Sequence, residues 1–154
     1  MSDATAKKPT SVTFEGTTPI LAVRDLAAST AYYTGVLGFE VNWQHPGIIA
    51  SVSRGRCTIF LCEGDQGHSG TWLWVGVSDV EALFREYVSN GATVRHKPTN
   101  YQWAYEMQIE DLDGHVLRFG SDPKADQPIG EWLDMHGTSW AATAKGTWSK
   151  ETPS

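Results

Sequence analysis

Cysteines, long apolar runs and clustered basic residues are all scarce in this sequence. It contains two cysteines among 154 residues, Cys57 and Cys62, which stand in one predicted strand and point to opposite faces. They cannot bridge each other there, and two free thiols are typical of the reducing cytoplasm. No apolar stretch resembles a secretion signal or reaches the length of a membrane span. We therefore expect a cytoplasmic protein with no membrane contact.

The balance of charge excludes a further class of function. Acidic residues outnumber basic ones and the net charge is -6. A nucleic-acid binder needs a positive surface against phosphates, so no nucleic-acid partner is expected. The sequence has an excess of tryptophan, with seven residues. Tryptophan fills cores and also grips large flat ligands, so the excess favours either a core or an aromatic binding surface.

The chain divides into a polar tail, a central domain and a C-terminal segment. Residues 1–16 are rich in Ser, Thr and Ala and predict a flexible N-terminal tail. Within residues 17–122, apolar alternation and helical spacing occur twice in the same order. The first half predicts a strand, a helix ended by a glycine and three more strands, over 18–24, 26–37, 39–43, 48–53 and 57–63.

The second half repeats that order. Its strand, helix and following strands are predicted over 71–77, 80–89, 92–96, 105–109 and 116–119, with a proline-containing loop over 97–101. Acidic residues and a glycine, from Asp111 to Gly114, predict a tight turn between the last two strands. We therefore predict an α+β fold in which two repeated βαβββ modules form a curved eight-stranded mixed sheet. Its concave side, away from the helices, would hold a ligand groove.

In this order and spacing, the motifs resemble the vicinal oxygen chelate superfamily. That family includes glyoxalase I, extradiol dioxygenases, and fosfomycin- and bleomycin-resistance proteins. The resemblance is carried by residues 23–26, 28–29, 32–33 and 37–39 in the first half, and by 77–80, 91–92 and 111–115 in the second. The family usually has proline at the position of Leu112, and this departure is harmless at a turn. The resemblance implies a scaffold, and a scaffold does not determine a function.

The resemblance also implies where a metal would bind. Metal-dependent members carry His, Gln or Glu ligands on symmetry-related strands, at positions that correspond here to Thr18, Phe60, Trp72 and Arg118. None of these side chains is a competent ligand for a divalent metal, and the Arg118 cation would repel one. We therefore expect no metal, no cofactor and no catalytic residue at the usual place.

Other catalytic patterns are missing from the sequence. His115 follows the turn and is expected to be a capping or surface histidine. No two of the five histidines stand at a metal-binding spacing on one strand or helix. The sequence has neither a G-x-S-x-G nucleophile elbow nor a glycine-rich phosphate loop after a strand.

Aromatic residues at the metal-ligand positions predict an apolar pocket in place of a metal site. By strand parity Trp74 shares a face with Trp72. Arg118 needs a partner, because a buried unpaired charge is costly, and Glu106, Glu110 or a ligand carboxylate would serve. The residues predicted to line the groove are Trp43, Phe60, Trp72, Trp74, Trp103, Tyr105 and Arg118. The alternative is that these aromatics simply fill the concavity as core.

A metal-free, aromatic-lined member resembles the bleomycin-resistance type of the family. This implies a homodimer that sequesters a flat, antibiotic-like aromatic ligand in a groove at its interface, without chemistry. Two other functions remain open. One is a metal-dependent lyase, dioxygenase or isomerase with an unusual site around Glu106, Glu110 and His115. The other is an interaction module whose aromatic surface binds a protein.

The C-terminal segment, residues 123–154, lies beyond the region that resembles the family. It carries Trp132, Trp140 and Trp148 at regular eight-residue spacing in a polar context. This spacing indicates a segment that packs on its own domain or on a partner subunit. The alternative is a partly ordered extension whose tryptophans only cover exposed apolar surface.

Overall fold

The computed structural model describes residues 10–143 and 146–151. The helices are α1 (Leu26–Gly35) and α2 (Val80–Ser89). The strands of the two repeated modules are β1 (Ile20–Ala22), β2 (Glu40–His45), β3 (Ile49–Arg54), β4 (Cys57–Cys62), β5 (Trp72–Gly76), β6 (Thr93–Asn100), β7 (Tyr105–Glu110) and β8 (Val116–Ser121). Three short strands follow: β9 (Trp132–Leu133), β10 (Ser139–Ala142) and β11 (Trp148–Lys150).

The two modules have the same topology. The first sheet has the order β1-β4-β3-β2, and the second sheet has the order β5-β8-β7-β6. In each, the strand before the helix runs parallel to the last strand, and the remaining pairs are antiparallel. The α+β class and the βαβββ repeat are therefore confirmed. The eight strands form two hydrogen-bonded sheets of four in a single chain, because β1 and β5 pair with β4 and β8 and not with each other.

Both helices begin at an aspartate and are followed by a glycine. Asp25 and Asp79 are the N-caps, and their carboxylates accept hydrogen bonds from the backbone N–H of Ala28 and Ala82 at 3.0 Å. After the helices the chain turns through Gly38 and Gly91, whose φ angles are 77° and 80°. Glycine adopts this left-handed conformation without the Cβ clash of other residues.

One apolar core joins the two modules. It is built from the helices and from the strand faces turned toward them, which we call the inner faces. Tyr33 of α1 and Tyr87 of α2 are fully buried at equivalent positions, eight residues after each N-cap. The hydroxyl of Tyr33 donates to Asp111, and that of Tyr87 donates to the carbonyl of Leu37, so each tyrosine crosses to the other module. The opposite strand faces are called the outer faces.

The turn between β7 and β8 binds the first module through several side chains. Asp113 accepts hydrogen bonds from the backbone N–H and the Nε of Arg24, at 2.9 and 3.1 Å. His115 is fully buried: its Nδ1 accepts from the backbone N–H of Thr71, and its Nε2 donates to the carbonyl of Ala22 at 2.6 Å. The expectation of a capping or surface histidine was therefore wrong, since both ring nitrogens tie β1 to the start of β5.

Strand β6 corrects a second expectation. The proline-containing loop predicted over 97–101 is mostly strand, because β6 continues to Asn100. Among the strands that the structure describes, it pairs only with β7, with register shifts on both sides of His96. An edge strand tolerates Pro98, since the missing N–H can face away from the ladder.

The C-terminal extension, residues 123–154, forms a third sheet in its described part, with the order β11-β10-β9. It packs on its own domain, as one of the two sequence hypotheses predicted. Asn100, at the end of β6, binds it at its start: the side chain donates to the carbonyls of Lys124 and Gln127 and accepts from the N–H of Lys124. In the part of the chain that the structure describes, no helix is long and apolar enough to cross a membrane.

Candidate functional site

The residues predicted to line one groove lie on three separate surfaces. Trp43 and Phe60 lie on the outer face of the first sheet, and Trp72, Trp74 and Arg118 on that of the second. Trp103 joins the second group, because its indole N–H donates to Glu106. Tyr105 lies on an inner face instead. The seven residues therefore do not line a single pocket within one chain.

The outer face of the first sheet is open. The rings of Trp43 and Phe60 meet edge to face with centroids 5.1 Å apart, and Trp43 is 42% exposed. Beside them, Asn42 donates to Ser51 and accepts from Ser53, both at 3.0 Å. All six residues of the edge strand β2, which carries Trp43 and Asn42, are exposed. The result is a solvent-accessible aromatic pair beside a small neutral polar network whose Ser51 is buried.

The outer face of the second sheet carries a buried ion pair. Arg118 holds Glu106 in a bidentate arrangement, from Nε to Oε2 at 2.8 Å and from Nη2 to Oε1 at 2.9 Å. Glu106 is only 1% exposed. Of the three partners considered from the sequence, the structure thus selects Glu106. Such two-pronged pairs are the strong form of charge-assisted hydrogen bond.

The C-terminal extension covers this ion pair. The indole of Trp132 lies over the guanidinium of Arg118, with Cζ 4.8 Å from the ring centroid. Aromatic rings surround the same indole, with centroids at 6.2 Å for Trp72, 5.7 Å for Tyr101 and 5.9 Å for Trp103. We call Trp72, Tyr101, Trp103 and Arg118 the indole cage. Trp132 and Tyr101 were missed as site residues, because contact between them depends on how a distant segment folds back.

Trp74 lies at the same face but outside the cover, with 53% of its surface exposed. Its ring lies flat against two glycines, Gly76 and Gly120. A Cβ placed on Gly120 would stand 2.7 Å from Cζ2 of this indole, so only glycine leaves room for it. The sequence contained this signal as a glycine in the strand that pairs with β5.

Tyr105 points to the inner side of the second sheet. Its hydroxyl donates to Glu81 of α2 at 3.1 Å, and Lys124 lies 4.7 Å from its ring centroid. Burial, and then the nearby Glu81, raise its pKa above the usual value. Strand parity explains the placement, since Tyr105 is adjacent to Glu106 and must point the opposite way.

A large open cleft, which the sequence did not indicate, lies beside the free edge of β5. Its volume is about 930 Å³, within the range of small-molecule sites. Leu73, Trp74 and Val75 form one wall, and the β3–β4 turn and α2 form the others. Arg54 and Glu86 pair across its rim at 2.6 Å. The hydrogen bond from Arg54 lowers the pKa of Glu86 below its usual value.

The positions that the resemblance assigns to metal ligands carry side chains that are engaged with other residues or are not metal donors. Phe60 packs on Trp43, Trp72 packs on Trp132, and Arg118 is paired with Glu106. Over residues 10–143 and 146–151, no group of three or more His, Cys, Asp or Glu side chains is placed to hold a metal ion. The donor chemistry of these positions does not fit a divalent cation.

Comparison with known proteins identifies the family. Residues 13–119 match the model of the Glyoxalase/Bleomycin resistance protein/Dioxygenase superfamily. The match covers well over half of the chain, so the chain belongs to this superfamily. No curated protein matches the sequence significantly.

Solved structures with the same fold include two antibiotic-binding proteins and TioX. The bleomycin-binding protein of Streptomyces verticillus, complexed with copper(II)-bleomycin, is 24% identical over 71% of this chain and 98% of that one, with a TM-score of 0.62. TnmS3, an antibiotic binding protein from Streptomyces sp. CB03234, is 19% identical over 75% and 100%, with a TM-score of 0.63. TioX from Micromonospora sp. ML1 is 22% identical over 68% and 95%, with a TM-score of 0.61. At these identities the likeness establishes the fold.

Proposed function

We propose that this member of the superfamily binds and sequesters a planar aromatic small molecule, antibiotic-like in class, without metal-dependent chemistry. The observation that carries the proposal is the open Trp43 and Phe60 pair on the outer face of the first sheet. A flat ring stacked on such a pair gains about 0.5–1.5 kcal/mol per contact beyond area burial. The antibiotic-binding proteins that share the fold support the ligand class.

The metal-dependent alternative finds less support in the side chains. Its proposed ligands were Glu106, Glu110 and His115. Glu106 is held by Arg118 and Trp103, and both ring nitrogens of His115 bond to the backbone. Elemental analysis of the purified protein separates the two functions. Stoichiometric, tightly bound zinc, nickel, manganese or iron would overturn the binding-only proposal.

We further propose that the protein is a cytoplasmic homodimer. Strand β5 pairs only with β8 among the described strands, and its free edge carries the exposed Trp74 beside the open cleft. Open edges with apolar side chains are normally covered, and a partner copy would cover this one. Light scattering should give twice the chain mass of 16.9 kDa. A monomer at tens of micromolar would reject the dimer and leave the proposal of ligand binding unaffected.

The free thiols of Cys57 and Cys62 support the proposed location in the cytoplasm.

Ligand binding is tested by titrating bleomycin against the intrinsic tryptophan fluorescence. We expect saturable quenching at micromolar ligand, weakened about tenfold or more by Trp43→Ala or Phe60→Ala, because each removes one stacking surface. Phe14→Ala is the matched control, since Phe14 is an aromatic residue that is 95% exposed and lies outside both sheets. Absence of quenching would reject the drug assignment. Equal affinity of all three variants would place the ligand elsewhere.

A further inference from the structure

The indole cage on the second sheet already holds a planar ring, and that ring belongs to the protein. Three aromatic side chains and one guanidinium surround the indole of Trp132, as described above. Arg118 uses the edge of its guanidinium, Nε and Nη2, to bind Glu106. Its flat face is left for the indole. This is the geometry of a cation–π site, which accepts any flat π-system of similar size.

Polar groups beside the cage bind the backbone next to Trp132. The carbonyl of Leu133 accepts from Gln108 Nε2 at 3.1 Å and from Arg95 Nη1 at 3.3 Å. Arg95 also donates to the carbonyl of Asp134, and its guanidinium lies 5.0 Å from the ring of Trp72. If the segment moved away, Gln108 Nε2 and Arg95 Nη2 would lose their acceptors, whereas Arg95 Nη1 would keep the side-chain oxygen of Gln108. Since unsatisfied donors in a covered site are costly, whatever replaces Trp132 must bring an oxygen acceptor.

The attachment of the extension has two separable parts. Its first residues are fixed to the end of β6, through Asn100 and through the hydroxyl of Tyr101, which donates to the carbonyl of Glu131 at 2.6 Å. Trp132 and the two-residue strand β9 are held by the cage and by the Arg95 and Gln108 donors. The later strand β11 packs on the same cage through Trp148, whose ring centroid lies 6.2 Å from that of Tyr101 and 5.9 Å from that of Trp103. Departure of Trp132 from the cage breaks none of the bonds between Asn100 and residues 124–127.

We propose that the C-terminal extension is an intramolecular competitor, with Trp132 occupying a second binding site for planar aromatic rings that carry a carbonyl or carboxylate acceptor. This rests on the proposed function, because it assigns a further site for the same ligand class. The first sheet binds without rearrangement, whereas the second binds only when Trp132 leaves. The apparent affinity of the second site is its intrinsic affinity multiplied by the fraction of chains in which the cage is empty.

Replacement of the missing indole tests the proposal. Trp132→Gly in the full chain leaves an indole-sized gap, and apolar gaps of this kind bind aromatic molecules. We titrate indole and indole-3-acetate by calorimetry. The variant should gain one site per chain that the wild type lacks. Indole-3-acetate should bind it about tenfold more tightly than indole, because the carboxylate meets Arg95 and Gln108. Met135→Gly is the control, since Met135 is an exposed residue of the same segment.

A second variant keeps the test independent of the stability of Trp132→Gly. A Cβ on Gly130 would collide with Cγ2 of Thr99, so Gly130→Ala pushes the extension away while Trp132 remains in the chain. It too should gain the additional site. If neither folded variant gains a site, or if Met135→Gly gains it as well, the proposal is overturned. Bleomycin quenching in the wild type reports the proposed function separately: a chain that gains the second site but never binds bleomycin refutes that function alone.

Discussion

The outer faces of the two sheets occupy equivalent places in the repeat but differ in chemistry and exposure. Phe60 pairs with Ile20 across the parallel strands of the first sheet, and Arg118 pairs with Trp74 across those of the second. The first position contributes to an open aromatic pair. The second carries a charge, which is neutralised by Glu106 and covered by Trp132. The two modules thus share a topology, whereas the side chains on their outer faces have diverged.

The edge strands show the same contrast. Every residue of β2 is exposed, whereas most of β6 is half-buried and Asn100 at its end is buried. The difference arises from the extension, which bonds to the end of β6 and lies over β7 and β8. A polar strand face can be covered only if its groups find partners, and Arg95, Gln108 and Asn100 find theirs in the backbone of the extension. The ion pair and its cover therefore stabilise each other.

Loss of the charge at position 118 should give the largest change in folding stability, because, over the described residues, only the second sheet carries a covered ion pair. Arg118→Ala leaves the buried carboxylate of Glu106 without its cation and with only the indole N–H of Trp103 as donor, and loss of one member of a buried ion pair typically costs about 3–5 kcal/mol of folding free energy. Chemical denaturation measures it. Arg24→Ala is the control, because its guanidinium is 82% exposed and Asp113 keeps the backbone N–H of residue 24 as a donor, so a loss of about 1 kcal/mol is expected. Equal losses in the two variants would contradict the assignment of a mostly buried ion pair to the second sheet.

A smaller effect is expected from Gly120→Ala. The added methyl would stand 2.7 Å from the indole of Trp74 and force it off the sheet, at a cost of about 1–3 kcal/mol. Thermal unfolding with Trp fluorescence measures both the loss and the movement of the indole. Gly35→Ala, where a Cβ meets nothing within 4 Å, should be neutral or slightly stabilising. The equivalent position in the first module is Cys62, which needs no such space because Ile20 stands where Trp74 would be. An unshifted Trp74 emission in Gly120→Ala would refute the close packing.

Local patterns were sufficient for the repeat and insufficient for the site. The N-caps at Asp25 and Asp79 and the glycines after each helix are short-range signals, so the modules were readable from the sequence. Strand parity also predicts the inward orientation of Tyr105, because its neighbour Glu106 was already a candidate partner of Arg118 on the outer face. The contact between Trp132 and Arg118 could not be predicted, because it joins the extension to a strand through a three-stranded sheet with weak local signals. His115 was misjudged because its partners, Thr71 and Ala22, are remote in sequence.

The smallest predicted effect concerns pH and distinguishes the covered face from the open one. Burial raises the pKa of Tyr101 to about 12, from an ordinary value of about 10. A folded state that holds this proton more tightly than the unfolded state is stabilised below pH 10 and loses that stabilisation as the pH rises toward 12.

Ionisation also removes the hydrogen bond from Tyr101 to the carbonyl of Glu131 at the base of the extension. We therefore expect the extension to loosen in this window, as fluorescence changes of Trp132 and its neighbours would report. Tyr101→Phe should lose that hydrogen bond at every pH and abolish the transition, although other buried tyrosines still titrate. A transition of unchanged size in Tyr101→Phe would show that the alkaline change arises elsewhere, from the core tyrosines Tyr33 and Tyr87, whose pKa values are also raised by burial.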